Sequence, residues 1–142
     1  MNKGTISQVI GPVIDVQFAA HEVPLVYHAL TVSGITMEVM AHLGDGAVRA
    51  IALGPTEGLV RGTEVIDTGG YITVPVGSGC LGRMMNVLGD PIDGKGAVPA
   101  TGRLPIHREA PTFLQQETET TIFETGIKAI DLLCPFPRGG KV

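Results

Sequence analysis

No basic cluster occurs anywhere in these 142 residues. The ten Lys and Arg are scattered and the formal net charge is −4, so the basic face of a nucleic-acid binder is missing. There are only two cysteines, Cys80 and Cys134, far apart and set among apolar residues. Neither belongs to a CxxC or a Cys/His zinc spacing, and a reduced cytosolic compartment is the simplest reading. The histidines His21, His28, His42 and His107 are isolated from one another, and none pairs into a metal motif. No stretch approaches the roughly 20 apolar residues of a membrane-spanning helix. The opening Met1-Asn2-Lys3-Gly4-Thr5-Ile6 runs almost at once into a strand pattern, with no secretory apolar region and no Arg/Ser-rich transit peptide.

Glycine and proline, by contrast, are abundant. Twenty Gly and ten Pro stand in 142 residues, above their ordinary combined share of about 12%. They fall singly or in pairs between apolar runs, a pattern suited to short strands joined by tight turns. Ile14, Val16 and Phe18 alternate with Asp15 and Gln17, the period of a half-buried strand. Gly11-Pro12 interrupts the apolar run before them and calls for a bend or bulge. In Ile35–Leu43, Ile35, Met37, Val39, Ala41 and Leu43 share one predicted face. Asp45-Gly46 then turns the chain into Ala47–Leu53, a strong hairpin signal. Further strands are expected at Leu25–Val32, Glu64–Asp67 and Tyr71–Val76. About six short strands in some 75 residues, with no helical period among them, predict a small closed barrel, which also removes free strand edges.

Beyond Val76 the texture changes. Leu81, Met84, Met85 and Leu88 have the spacing of a short helix. Gly89–Gly96 reads as a loop, and residues 97–121, with Pro99, Pro105 and Pro111, as an extended connection. A helix is predicted from Glu124 or Thr125 to about Leu133, stopped by Pro135 and Pro137. Arg138–Val142 reads as a turn leading into a new strand, so the chain is expected to be a truncated piece of a longer one.

The motifs are weak when taken for their chemistry. Gly77-Ser78-Gly79-Cys80-Leu81-Gly82 fits GxGxxG, but a dinucleotide site needs a long helix and a second buried strand after it, and neither is in the pattern. A phosphate-binding loop needs GxxxxGK followed by Ser or Thr. Here Gly94-Lys95 is followed by Gly96 and Gly140-Lys141 by Val142, so neither supplies the hydroxyl. Asp90, Asp93 and Gly94 lack EF-hand spacing and suit turns better. Glu117 and Glu119 form a carboxylate pair whose simpler role is a solvated surface. No catalytic, cofactor-binding or metal-binding residue is assigned to these residues.

Several blocks, in order, carry a resemblance. They are Gly4–Phe18, His42–Gly46, Val48–Leu53, Thr56–Gly62, Val74–Arg83, Asn86–Asp93, Arg103–Arg108 and Glu124–Leu133. Together they resemble the N-terminal part of the F-type ATP synthase beta subunit, the catalytic one, over essentially the whole chain. The Leu81-Gly82-Arg83 and Leu88–Gly94 element is shared with V-type, archaeal, flagellar and type III export ATPases. The opening block and Asn86-Val87-Leu88-Gly89 favour beta, since an Asp-Ala pair would be expected at Asn86-Val87 in the alpha subunit. Cys134, Pro137-Arg138 and the Ala19–Val23 turn depart from the usual family pattern.

The resemblance implies a mainly β fold. A six-stranded closed barrel at 1–76 would be followed at 77–142 by the start of an α/β P-loop nucleotide-binding domain, cut before the P-loop. It implies alpha subunits alternating with beta in a hexameric ring, a central shaft, and ATP or ADP with magnesium bound by residues of the full subunit outside this chain. The full subunit would make or hydrolyse ATP coupled to ion transport, at the cytoplasmic face of a bacterial inner membrane. The piece itself would be catalytically silent, serve hexamer assembly and carry a loose tail beyond about residue 77. The alternatives are a free-standing barrel acting as a binding or assembly module, and a fragment of a flagellar or type III export ATPase relative.

Overall fold

A computed structural model describes residues 2–117 and 119–141. It opens with a tight reversal. Strands β1 (Lys3–Ile10) and β2 (Val13–Phe18) are joined by Gly11-Pro12, the interruption expected from the sequence. Gly11 has φ 57, a conformation that favours glycine, and Pro12 sits outside the ladder to which it could not donate. Strands β3 (His28–Val32), β4 (Ile35–Gly44), β5 (Ala47–Ala52) and β6 (Glu64–Tyr71) complete a closed barrel of order β1-β2-β5-β4-β3-β6. The β4–β5 turn is Asp45-Gly46, with φ 49 and 80 at the two positions. Two consecutive positive values match the right-handed strand twist, which is why Asp-Gly marked the hairpin.

The interior is filled by Ile6, Ile14, Val16, Leu30, Val32, Met37, Val39, Val48, Ala50 and Val65, with Phe18 closing one region. Most are β-branched, as fits a pleated wall packed from every side. Burying each large aliphatic contributes about 1.5–3 kcal/mol. Polar positions alternate outward: Asp15 on β2 stands directly across from Arg49 on β5.

Irregularities of register in β1 and β4 reset this alternation. Ile6 pairs with Val16 and Val9 with Ile14, although Ile6 and Val9 are an odd number of residues apart; the extra residue is Ser7. A bulge keeps both on the core face where a regular strand would turn one outward. In β4 the face predicted over Ile35–Leu43 holds only as far as Val39. An irregularity at Met40 puts Ala41 across from the outward Arg49 and His42 across from Val48. Leu43, at a second irregularity between His42 and Gly44, is 47% exposed and leaves the face predicted for it with Met37 and Val39.

Other boundaries also differ. β3 starts at His28 and not at Leu25, because Tyr27 has φ 70 and breaks the extended run. β6 continues through Gly69-Gly70 to Tyr71. β7 (Thr73–Val76) lies outside the barrel and pairs with β8 (Gly102–Pro105), a strand within the stretch expected to be an extended connection. The helix expected over Leu81–Leu88 is absent. A 3₁₀ turn, Ser78–Cys80, is followed by loops in which the Met84 amide donates to Asp93 and Met85 bridges Pro91. Leu81 and Met84 are 81% and 62% exposed while Met85 and Leu88 are half-buried, so the four do not form one covered helical face.

The chain divides into two compact units, Met1–Arg108 and Glu109–Val142. In the second, β9 (Ile122–Phe123) pairs with β10 (Phe136–Pro137), and α1 (Lys128–Leu133) lies between them in sequence. This helix is shorter than expected but ends where Pro135 requires. Arg138-Gly139 forms the anticipated turn, while Val142, at the start of the predicted next strand, lies outside the described residues.

Leu30→Ala is expected to lower the unfolding free energy of the barrel by about 2–5 kcal/mol. The same truncation at Leu132, which is 81% exposed, should leave the barrel transition in place. Urea unfolding followed by circular dichroism checks both.

Candidate functional site

The glycine run that suggested a phosphate cradle is built for another purpose. The Cys80 amide donates to the Gly77 carbonyl and the Leu81 amide to that of Ser78, so these N–H groups are spent within the turn. Thr101 and Pro99 lie directly over Gly77 and Gly79, where any Cβ would collide with them. Gly89 is likewise closed off by Pro75. Glycine is needed here for the approach of one protein segment to another, not of a ligand to the backbone.

Beside this run lies a buried ion pair. Arg83 Nε donates to Asp93 Oδ2 at 2.6 Å and Nη2 to Oδ1 at 3.0 Å. Their side chains are 10% and 7% exposed. Two further guanidinium hydrogens go to the carbonyls of Ala97 and Gly96. Asp93 in turn accepts the Met84 and Lys95 amides at 3.2 and 3.1 Å. The hydrogen bonds from Arg83 hold the Asp93 carboxyl well below the usual carboxylate range; burial opposes this and the two backbone amides reinforce it. Arg103 is similarly occupied by Thr73 and the Leu88 carbonyl. Four of the five Arg83 N–H groups are thus committed within the protein, whereas Arg103 engages only its Nε and Nη2.

Asn86 organises the adjacent turn. Its side-chain oxygen accepts the Leu88 and Asp90 amides, and its Nδ2 donates to Asp90 Oδ2 at 3.0 Å. Asp90 and Asp93 thus act as turn and pairing residues. An open cleft of about 410 Å³ borders Pro75, Gly89, Pro91 and residues 97, 98 and 100–103, with Arg103 the charged residue among them.

Elsewhere the candidates stand apart. Glu117 and Glu119 are exposed. Cys80 is half-buried and Cys134 exposed, both free thiols. His28 Nδ1 lies 3.2 Å from Asp67, and His42 Nε2 lies 2.8 Å from the Pro24 carbonyl. Among the described residues no group of His, Cys, Asp or Glu could hold a metal ion. Sequence reasoning missed Asp131, whose carboxylate takes the Thr125 hydroxyl at 2.6 Å and the Thr125 and Gly126 amides at 3.0 Å. These bonds lower its pKa, the Thr125 hydroxyl foremost, and tie the preceding loop to α1.

Residues 6–69 match the family model described as ATP synthase alpha/beta family, beta-barrel domain. The matched span coincides with the closed barrel, whose strands run from Lys3 to Tyr71.

Because the Asp93 pKa is depressed by folding, its stabilisation is complete above the unfolded value of about 4. Below that it declines progressively as the unfolded chain takes up its proton, and it is gone once the pH has fallen through the much lower folded value, where the folded carboxyl itself titrates. The Met84 and Lys95 amide resonances should therefore hold their positions at pH 4 and move only in stronger acid. Asp93→Asn should shift both already at neutral pH. Nitrogen-edited NMR spectra across that range decide it.

Proposed function

We propose that the chain, whose residues 6–69 match the beta-barrel domain of the ATP synthase alpha/beta family, is the N-terminal part of a rotary ATP synthase catalytic beta subunit, serving assembly of the hexameric ring. The observation that carries this is the coincidence of the family match at residues 6–69 with the closed six-stranded barrel. The choice of beta over alpha is supported by the resemblance at Asn86-Val87-Leu88-Gly89. Asn86 donates to Asp90 at 3.0 Å, and an Asp in its place would set two carboxylates against each other.

In this reading the barrel contributes shape and surface, not chemistry. A closed barrel offers no edge strand for pairing, so contacts with neighbouring subunits must run through outward side chains. Ile10, Leu25, Met40, Leu43 and Val60 are exposed apolar residues of the barrel unit suited to that task. ATP or ADP and magnesium would bind residues of the full subunit outside this chain, whose GK pairs lack the following hydroxyl. The parent would couple ATP turnover to ion transport, peripheral to a bacterial inner membrane on its cytoplasmic face, with alpha subunits alternating around the ring.

Sedimentation of the chain with isolated ATP synthase alpha and beta subunits tests the assignment. Co-sedimentation with alpha and none with beta is expected. A homo-hexamer that ignores alpha would overturn the reading in favour of an export-type ATPase. Calorimetry should register no heat from magnesium-ATP at micromolar concentrations, and clear binding would place a phosphate site within these residues after all.

A further inference from the structure

The outer face of β4 carries a carboxylate under cover. Glu38 sits across from Ala29 on one side and Ile51 on the other, and its side chain is only 12% exposed. The cover is His107, whose Nε2 lies 2.7 Å from Glu38 Oε1. The His107 ring also stacks on Tyr27, with centroids 4.1 Å apart and planes inclined by 25°. Tyr27 is held in its left-handed conformation by its amide, which donates to the Val39 carbonyl at 2.7 Å. Three segments distant in sequence therefore converge: the turn before β3, the middle of β4, and the residues just after β8.

The position of His107 gives the cluster its meaning. β7 and β8 pair with each other as a separate two-stranded sheet, and neither is hydrogen-bonded into the barrel. Ile106, whose amide donates to Ile72, ends this hairpin, and Arg108 is the last residue of the first compact unit. Backbone pairing alone leaves the hairpin attached to the barrel by chain continuity through Ile72.

We infer that Glu38, His107 and Tyr27 form a clasp that fixes the β7–β8 hairpin to the barrel wall and so sets the direction in which the chain leaves the barrel unit. The hydrogen bond to a largely desolvated carboxylate gives the contact strength and the stacked ring gives it orientation. This holds whichever subunit type the chain represents.

The test uses residual dipolar couplings measured on the whole chain. In the wild type, amides of the barrel and of the hairpin should fit one alignment tensor. In His107→Ala, which returns Glu38 to water without stranding it, they should require two. The hairpin couplings should then fall about twofold, as for a segment that reorients independently, while the barrel couplings stay unchanged. Glu38→Gln retains an acceptor and should keep the single tensor; Glu38→Ala should lose it, and serves if His107→Ala does not fold. A single tensor in both alanine variants, or two tensors in the wild type, would overturn the clasp.

Discussion

The pairing of β1 with β6, at Lys3↔Ile66, Gly4↔Val65 and Thr5↔Glu64, turns an open six-stranded sheet into a closed wall. Without it both strands would present unpaired N–H and C=O groups, and Val65 and Ile6 would lose the enclosed space they fill. Gly4 is part of the fit, because a Cβ there would press on the Gln17 carbonyl and the Phe18 ring. Closure also fixes the bulges: only a strand with an extra residue at Ser7 can meet β2 on one side while bringing both Ile6 and Val9 inward.

Charge is handled in the same way throughout the first unit. Asp15 with Arg49, Asp67 with His28 and Arg83 with Asp93 each place a scarcely exposed carboxylate against a specific partner. Among the described residues no buried side-chain nitrogen or oxygen lacks a hydrogen bond. A buried charge costs several kcal/mol unless paired, so these pairs make their sites intolerant of loss of one partner. The motif residues Arg83 and Asp93 thus hold a loop in shape. They leave function to the surfaces and segments that the barrel presents.

The sequence was most legible where local chemistry decides. Alternation at Ile14, Val16 and Phe18 and the Asp45-Gly46 turn reported strand and hairpin directly, because side-chain period and positive φ are properties of a few adjacent residues. Bulges at Ser7 and Met40 left no such trace, since register is settled by the partner strand; hence Leu43 was assigned to the wrong face. Leu81, Met84, Met85 and Leu88 have helical spacing, yet Asp93 and Pro91 capture the backbone there from a distance. The meeting of Glu38 with His107 was equally hidden, as nothing near either residue encodes it. The packing that the glycine run serves, room for Pro99 and Thr101, depends on a segment some twenty residues away and was not legible in the run itself.

The strand order β1-β2-β5-β4-β3-β6 has a consequence for biosynthesis. β1 leaves the ribosome before the other barrel strands and receives its second partner only from the last of them, so the wall cannot close until residues 64–66 have emerged. At the usual elongation rate of about 5–20 residues per second, the outer edge of β1 is left open for seconds. The early sequence meets that interval with a charged and polar edge: Lys3, Thr5 and Ser7 interleave with Gly4 and Ile6, where an unbroken apolar run would invite pairing with a neighbouring nascent chain.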